Sequence, residues 1–74
     1  TTPMKMRKDA LVAAAQMVMA VNRTALENPG EQVATVGYLS VMPNSTNTVP
    51  GEVDFRIDLR DLFQENLEFL VGEI

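Results

Sequence analysis

Hydrophobic and polar residues alternate along the chain with a spacing that changes from segment to segment. From about Arg7 to Leu26 the chain is rich in alanine, leucine and methionine, which favour a helix. The polar residues of this segment recur every seven positions and form one narrow stripe, made of Asp9, Gln16 and Arg23. Because a helix packed on one sheet needs only one apolar side, the remaining apolar surface predicts contact with a larger core or with another subunit.

Residues that favour the start and the end of a helix lie at both ends of this predicted helix. Thr2 and Pro3 form a good start, because a hydroxyl caps free backbone amides and proline fits the first turn. Another capping residue lies further along the chain, which leaves the start open by a few residues. Asn28-Pro29-Gly30 is expected to stop the helix and turn the chain.

Two β-strands are predicted next. Gln32 to Met42 is rich in β-branched residues and has apolar residues on both faces, so its pattern does not identify an inward face. Gly37 marks a bulge or a close backbone approach, and Pro43 to Gly51 is a loop. Val53 to Arg60 alternates strictly: one face carries Val53, Phe55, Ile57 and Leu59, and the other carries Asp54, Arg56, Asp58 and Arg60. This strand is expected to have one buried face and one open, charged face.

A second helix is predicted after the strands. Asp61 can cap it, and its apolar positions fit helical spacing, namely Leu62, Phe63, Leu67, Leu70, Val71 and Ile74. The order α-β-β-α leaves only two strands, and an isolated pair is marginal. A further strand before and after would complete a ferredoxin-like βαββαβ fold, with both helices on one face of an antiparallel sheet. We therefore predict an α+β fold in which residues 1–74 are a single partial domain of a longer protein.

Composition limits the chemistry of the chain. Its 74 residues include no cysteine and no histidine, which removes thiolate and imidazole metal ligands and the usual general base. The net charge is -4 and the basic residues cluster only at Lys5, Arg7 and Lys8, so a nucleic-acid partner is not expected. The apolar run from Ala10 to Val21 is too short to span a membrane, and no membrane partner is expected. The lack of cysteine fits a reducing, cytoplasmic setting.

Two segments carry a family resemblance. Residues 1–15 read TTPMKMRKDALVAAA, and residues 36–60 read VGYLSVMPNSTNTVPGEVDFRIDLR. The first resembles the Thr-Thr-Pro-Met segment, basic stretch and alanine-rich helix of the amidase, hydantoinase/carbamoylase family. The second resembles that family's Val-Gly, Pro-Asn, Asn-x-Val/Ile-Pro-Gly-Glu-Val and Asp-x-Arg pattern. The family includes N-carbamoyl-L-amino acid hydrolases, allantoate amidohydrolases and β-ureidopropionases.

The resemblance implies that the chain is the lid, or dimerisation domain, of a two-domain amidohydrolase. Such an enzyme cleaves a carbamoyl or ureido C–N bond with two divalent metal ions, usually zinc, manganese, cobalt or nickel. None of its metal ligands and catalytic residues lies in this chain, which alone is expected to be inactive and to bind no cofactor. The resemblance also implies a homodimer, expected here through the first helix and the edge strand around Val33 to Val41.

Arg60 and Asn47 are the residues that the resemblance marks as substrate contacts, with Arg60 holding the substrate carboxylate. The residues themselves agree for Arg60, because a guanidinium on an open face gives a planar, two-pronged fit to a carboxylate. The plainer interpretation is a surface ion pair with Asp54, Asp58 or Asp61.

For Asn47 the plainer interpretation is a turn residue that bonds its own loop, and the neighbouring Asn44 can fill either role. The intervening strand separates Asn47 from Arg60 by on the order of 20 Å. If both residues touch substrate, we expect them to serve different active sites of a dimer.

Other functions stay open at this point. The chain can be a homodimerisation module without a ligand role, a small-molecule regulatory domain of the same shape, or the lid of a related di-zinc peptidase or deacylase. The Thr-Thr-Pro-Met segment favours the amidohydrolase. The sequence does not choose between carbamoyl amino acids, allantoate and β-ureidopropionate, because each presents a carboxylate.

Overall fold

A single helix packs on a three-stranded antiparallel sheet in the part of the chain that the structure describes. The computed structural model describes residues 3–28, 30, 32–61 and 63–72. A 3₁₀ turn at Met4–Met6 is followed by α1 (Ala10–Glu27), β1 (Val33–Met42), β2 (Glu52–Arg60) and β3 (Gln64–Gly72). The strand order is β1-β2-β3, which makes β2 the central strand. The predicted α+β class is confirmed, and the ferredoxin-like arrangement is not.

Helix α1 begins later than the Thr2-Pro3 signal indicates. Pro3 precedes the 3₁₀ turn, and Thr2 lies outside the described residues. The helix is capped by Asp9, whose carboxylate accepts hydrogen bonds from the backbone amides of Leu11 at 2.9 Å and Val12 at 3.2 Å. The later of the two possible starts is therefore the one used, because a carboxylate satisfies two free amides of the first turn.

The end of α1 follows the predicted stop signal. The side-chain amide of Asn28 donates to the carbonyl of Thr24 at 2.6 Å. Gly30 adopts a φ of 142°, a conformation that suits glycine because it has no Cβ. Pro29, the middle residue of the signal, lies outside the described residues.

Strands β1 and β2 lie within one residue of their predicted bounds. They pair antiparallel, with a shift of register between Val36 and Tyr38. Gly37 lies at this shift, which confirms the bulge predicted there.

The core lies between α1 and the helix-facing side of β2. The small side chains of Ala10 and Ala14 let the helix approach the sheet. Within the sheet, the aromatic ring of Phe55 stacks on that of Phe69, with the two ring centroids 5.2 Å apart. The buried side chains of this core are Ala10, Ala14, Val53, Phe55 and Ile57. The alternation predicted for β2 is thus confirmed, with its apolar residues inside and its charged residues on the open side.

Helix α1 has more apolar surface than the described residues cover. Met19 and Leu26 are 63% and 78% exposed, and Val12 and Met17 are also exposed. This excess agrees with the narrow polar stripe of the sequence.

The predicted second helix is wrong. Residues 64–72 form β3, which pairs antiparallel with β2 along its whole length. Asp61, the expected helix cap, instead lies between the two strands, where its amide donates to the carbonyl of Phe63 at 3.2 Å. Pairing with β2 gives the backbone groups of residues 64–72 partners, and it gives the sheet a third strand within this chain.

The spacing of apolar residues in this segment suits both structures. Leu67, Phe69 and Val71 recur every second residue and lie opposite the buried residues of β2. Leu62 and Ile74, which belong to the helical pattern, lie outside the described residues.

Candidate functional site

The open face of β2 carries two Asp-apolar-Arg units in succession. In the first, Oδ2 of Asp54 lies 3.2 Å from Nη2 of Arg56; in the second, Oδ2 of Asp58 lies 3.1 Å from Nε of Arg60. The other oxygen of each aspartate, Oδ1, is buried without a hydrogen-bond partner among the described residues. Each arginine therefore pairs with the aspartate two residues before it, Arg56 through a terminal nitrogen and Arg60 through Nε. The two arginines also differ in what the neighbouring strands offer them.

Arg56 is held from both sides. Its Nη2 also lies 3.0 Å from Oε2 of Glu68 on β3, and its Cζ lies 4.4 Å from the ring centroid of Tyr38 on β1. Tyr38 and Glu68 are the residues directly opposite Arg56 in the sheet. The hydrogen bond with Asp54 raises the pKa of Arg56 above its usual value.

Arg60 is left open by its neighbours. The residues opposite it are Val33 on β1 and Gln64 on β3, both neutral. Its side chain is 62% exposed, and its one charged contact within the described ranges is Asp58 at Nε. The two terminal nitrogens are free of partners there, and such a pair of donors matches the two oxygens of a carboxylate. The prediction that Arg60 lies on the open face is confirmed, and so is the ion pair with Asp58 that was the plainer alternative.

Asn47 lies in the turn between β1 and β2, near the end of β2 that is remote from Arg60. Its Oδ1 accepts hydrogen bonds from the hydroxyls of Ser45 at 2.8 Å and Thr48 at 3.4 Å. The turn interpretation is therefore observed, and the two predicted site residues are kept apart by the length of β2. The role of Asn47 in substrate binding stays a prediction.

An open groove of about 600 Å³ lies between the second half of α1 and the end of the sheet that carries Arg60. Its wall is mainly apolar and includes Val21, Ala25, Val33, Leu59 and Phe63. The sequence patterns did not predict this groove. The signal for it was the apolar surface of α1 beyond the side that one sheet can cover.

Among the described residues, no group of three or more carboxylates is placed to hold a metal ion, and the sequence has no histidine or cysteine. The acidic side chains of the open face contact arginines instead. They do not fit the two divalent metal ions that the resemblance implies, so no chemical step through a metal is derived from this chain. In the same part of the chain, no helix has the length and apolar character needed to cross a membrane.

Comparison with curated proteins places the chain beside known amidohydrolases. It is 54% identical over 74 residues to an N-carbamoyl-L-amino-acid amidohydrolase of Paenarthrobacter aurescens, which covers 100% of the chain and 18% of that protein. It is 40% identical over 68 residues to an allantoate amidohydrolase of Bacillus subtilis (strain 168), covering 92% of the chain and 16% of the relative. It is 33% identical over 72 residues to a ureidoglycolate hydrolase of Arabidopsis thaliana, covering 96% and 15%.

The chain spans less than a fifth of the length of these relatives. No family model matches the chain, and no solved structure matches it. The identity to the first of these relatives extends from end to end of the chain. The chain therefore belongs, as a segment, to the family of N-carbamoyl-L-amino-acid amidohydrolases and allantoate amidohydrolases.

Proposed function

We propose that this chain is the part of an amidohydrolase that binds the substrate carboxylate and joins two subunits into a homodimer. The enzyme hydrolyses the C–N bond of an N-carbamoyl amino acid or of an allantoate-like ureido acid. Its catalytic residues and its two divalent metal ions lie outside this chain, and it works in the cytoplasm. The names of the relatives support the reaction class, because they are hydrolases of N-carbamoyl amino acids, allantoate and ureidoglycolate. They also support carboxylate binding, because all three kinds of substrate carry a carboxylate.

The observation that carries the proposal is the contrast between two arginines on one strand. Arg56 is occupied by Asp54, Glu68 and the ring of Tyr38. Arg60 extends into solvent with its terminal nitrogens available. A charge-assisted, bidentate bond to a substrate carboxylate fixes both the position and the orientation of the substrate.

The dimerisation part of the proposal rests on two surfaces. Helix α1 exposes apolar side chains that include Met17, Met19 and Leu26. Strand β1 forms an edge of the three-stranded sheet, and the unpaired backbone groups of an edge strand can pair with a second copy. Together these surfaces suit a symmetric contact in which the same patch is used by both subunits.

The test uses the full-length enzyme with the substitutions Arg60→Ala and Arg60→Lys. Steady-state kinetics are measured with an N-carbamoyl amino acid, with allantoate, and with the corresponding N-carbamoyl amino acid amide, which lacks the carboxylate. For the better carboxylate substrate, Arg60→Ala is expected to lower kcat/KM by about 100-fold, because a hydrogen-bonded charge pair is removed. Arg60→Lys is expected to recover only part of this loss, since an ammonium group does not reproduce the planar fork.

Arg56→Ala is the matched control, because Arg56 lies on the same face of the same strand. It is expected to leave kcat/KM within about twofold of the unmodified enzyme. The amide should be hydrolysed at similar rates by the unmodified enzyme and by the Arg60→Ala variant. An unchanged kcat/KM for Arg60→Ala with both carboxylate substrates would refute the proposed role.

A further inference from the structure

We infer that Asp58 is a positioning residue, which holds the guanidinium of Arg60 by its Nε edge so that the terminal nitrogens face the substrate carboxylate. The inference rests on the proposed function of Arg60 and extends it to a second residue. It starts from one contact, the 3.1 Å distance between Oδ2 of Asp58 and Nε of Arg60.

The guanidinium has more than one way to bind a carboxylate. Two oxygens can bind its side edge, formed by Nε and one terminal nitrogen, or its end, formed by the two terminal nitrogens. Asp58 occupies Nε, so the end is the edge left for a second carboxylate. The side chain of Asp58 is only 33% exposed and is therefore better enclosed than that of Arg60. The aspartate thus gives the more exposed arginine one anchor.

The preceding unit of the same strand is arranged differently. Asp54 contacts Arg56 at Nη2, a terminal nitrogen, and Glu68 contacts the same nitrogen. The aspartate of that unit occupies the end of its guanidinium that Asp58 leaves free on Arg60. The pair of Asp58 and Arg60 therefore leaves both terminal nitrogens of the guanidinium available, and the pair of Asp54 and Arg56 does not.

Two effects of Asp58 on substrate binding oppose each other. An arginine ordered before binding loses less side-chain freedom when the substrate arrives. The negative charge of Asp58 also repels the incoming carboxylate. If positioning dominates, removal of Asp58 weakens binding; if charge dominates, removal strengthens it. The sign of the change separates the two.

The experiment measures KM and kcat of the full-length enzyme after Asp58→Ala and Asp58→Asn, with the N-carbamoyl amino acid that the unmodified enzyme hydrolyses best. Asp58→Ala is expected to raise KM about three- to fivefold, the upper range of an exposed ion pair. Asp58→Asn keeps an oxygen that can accept from Nε and is expected to raise KM less. In both variants kcat is expected to stay within about twofold, because the contact acts on binding. Unchanged or lower KM values in both variants would overturn the inference.

Two further variants separate positioning from a structural effect. Asp54→Ala removes the equivalent aspartate of the first unit and should leave KM unchanged. In the double variant Asp58→Ala/Arg60→Ala, KM should equal that of Arg60→Ala alone, because Asp58 acts through Arg60. A further rise in the double variant would overturn the inference.

The two proposals also fail in different ways. If Arg60→Ala leaves kcat/KM unchanged, the proposed function fails. If Arg60→Ala lowers kcat/KM while Asp58→Ala leaves KM unchanged, only the positioning role fails. Thermal unfolding of each variant identifies those that do not fold, and Asp58→Asn, which keeps size and shape, then provides the decisive KM.

Discussion

Arg60 lies directly opposite Gln64 in the sheet, just as Arg56 lies directly opposite Glu68. The difference between an amide and a carboxylate at these two positions is one cause of the different states of the two arginines. Glu68 contributes a second anion to Arg56 at 3.0 Å, whereas Gln64 brings no charge to Arg60. The residue that β3 places opposite each arginine therefore contributes to which of the two is available for a ligand.

Substitution of Gln64 by glutamate is expected to occupy Arg60. In the full-length enzyme, Gln64→Glu should raise KM for a carboxylate substrate about three- to fivefold, the strength of an exposed ion pair that must be broken. The measured increase should shrink at high salt, since exposed charges are screened. Glu68→Gln is the reciprocal control and should leave KM unchanged. A KM for Gln64→Glu equal to that of the unmodified enzyme at low salt would contradict the prediction.

The stacked pair of Phe55 and Phe69 is expected to dominate the stability of this segment. Phe55 is buried and forms the centre of the core. Phe55→Ala should lower the free energy of unfolding by about 3–5 kcal/mol, because it leaves a cavity under α1. Phe63→Ala removes the same side chain from a site that is 78% exposed and should change it by less than about 0.5 kcal/mol. Denaturant unfolding of the full-length protein measures both, and equal losses would argue against this core.

The exposed apolar side of α1 is expected to contribute to subunit contact. Met19→Lys places a charge on that side and should shift the full-length protein from dimer towards monomer in sedimentation at several concentrations. Gln16→Lys adds the same charge to the polar stripe of the same helix and should leave the assembly unchanged. A dimer of equal strength in both variants would show that this side of α1 is not an interface.

The separation of Asn47 from Arg60 leads to a prediction about shared active sites. The nine residues of β2 extend over on the order of 25 Å between them, so one substrate is not expected to touch both residues of the same subunit. Inactive Arg60→Ala and Asn47→Ala enzymes are mixed in equal amounts under conditions of subunit exchange. The mixture should recover about a quarter of full activity, because about half of the dimers are heterodimers and half of the sites in each heterodimer are intact.

The control for this mixing experiment replaces the Asn47→Ala subunit with the double variant Arg60→Ala/Asn47→Ala. That mixture contains no intact site under either arrangement and should stay inactive. Absence of recovery in the first mixture, despite exchange shown by mass-tagged subunits, would mean that Asn47 does not act across the dimer.

Local pattern predicted most of the fold. The alternation from Val53 to Arg60 identified β2 and its open face. The stop signal lies at the observed end of α1, whereas the Thr2-Pro3 signal lies well before its N-cap, Asp9. The last element was missed because Leu67, Leu70 and Val71 suit a helix. Phe69 does not fit that helix, and it is the residue that stacks on Phe55. The contact that decides the element is remote in sequence, so local spacing does not reveal it.

In the candidate site, too, local spacing predicted some features, and others depend on contacts that are remote in sequence. Strict alternation was enough to place Arg60 on the open side of its strand. It was not enough to distinguish Arg60 from Arg56, because both follow an aspartate by two residues and share a face. Their difference comes from the register of β1 and β3 against β2, which places Tyr38 and Glu68 beside one arginine only.

The strict two-residue repeat of β2 also constrains how many residues can be inserted into or deleted from this strand. Insertion or deletion of one residue between Val53 and Phe55 would turn every later side chain of the strand to the opposite face. Arg60 would then point towards α1, and Ile57 would enter water. Insertion of two residues would keep each side chain on its face and move Arg60 along the sheet. Natural variation in length at this strand should therefore come in even steps.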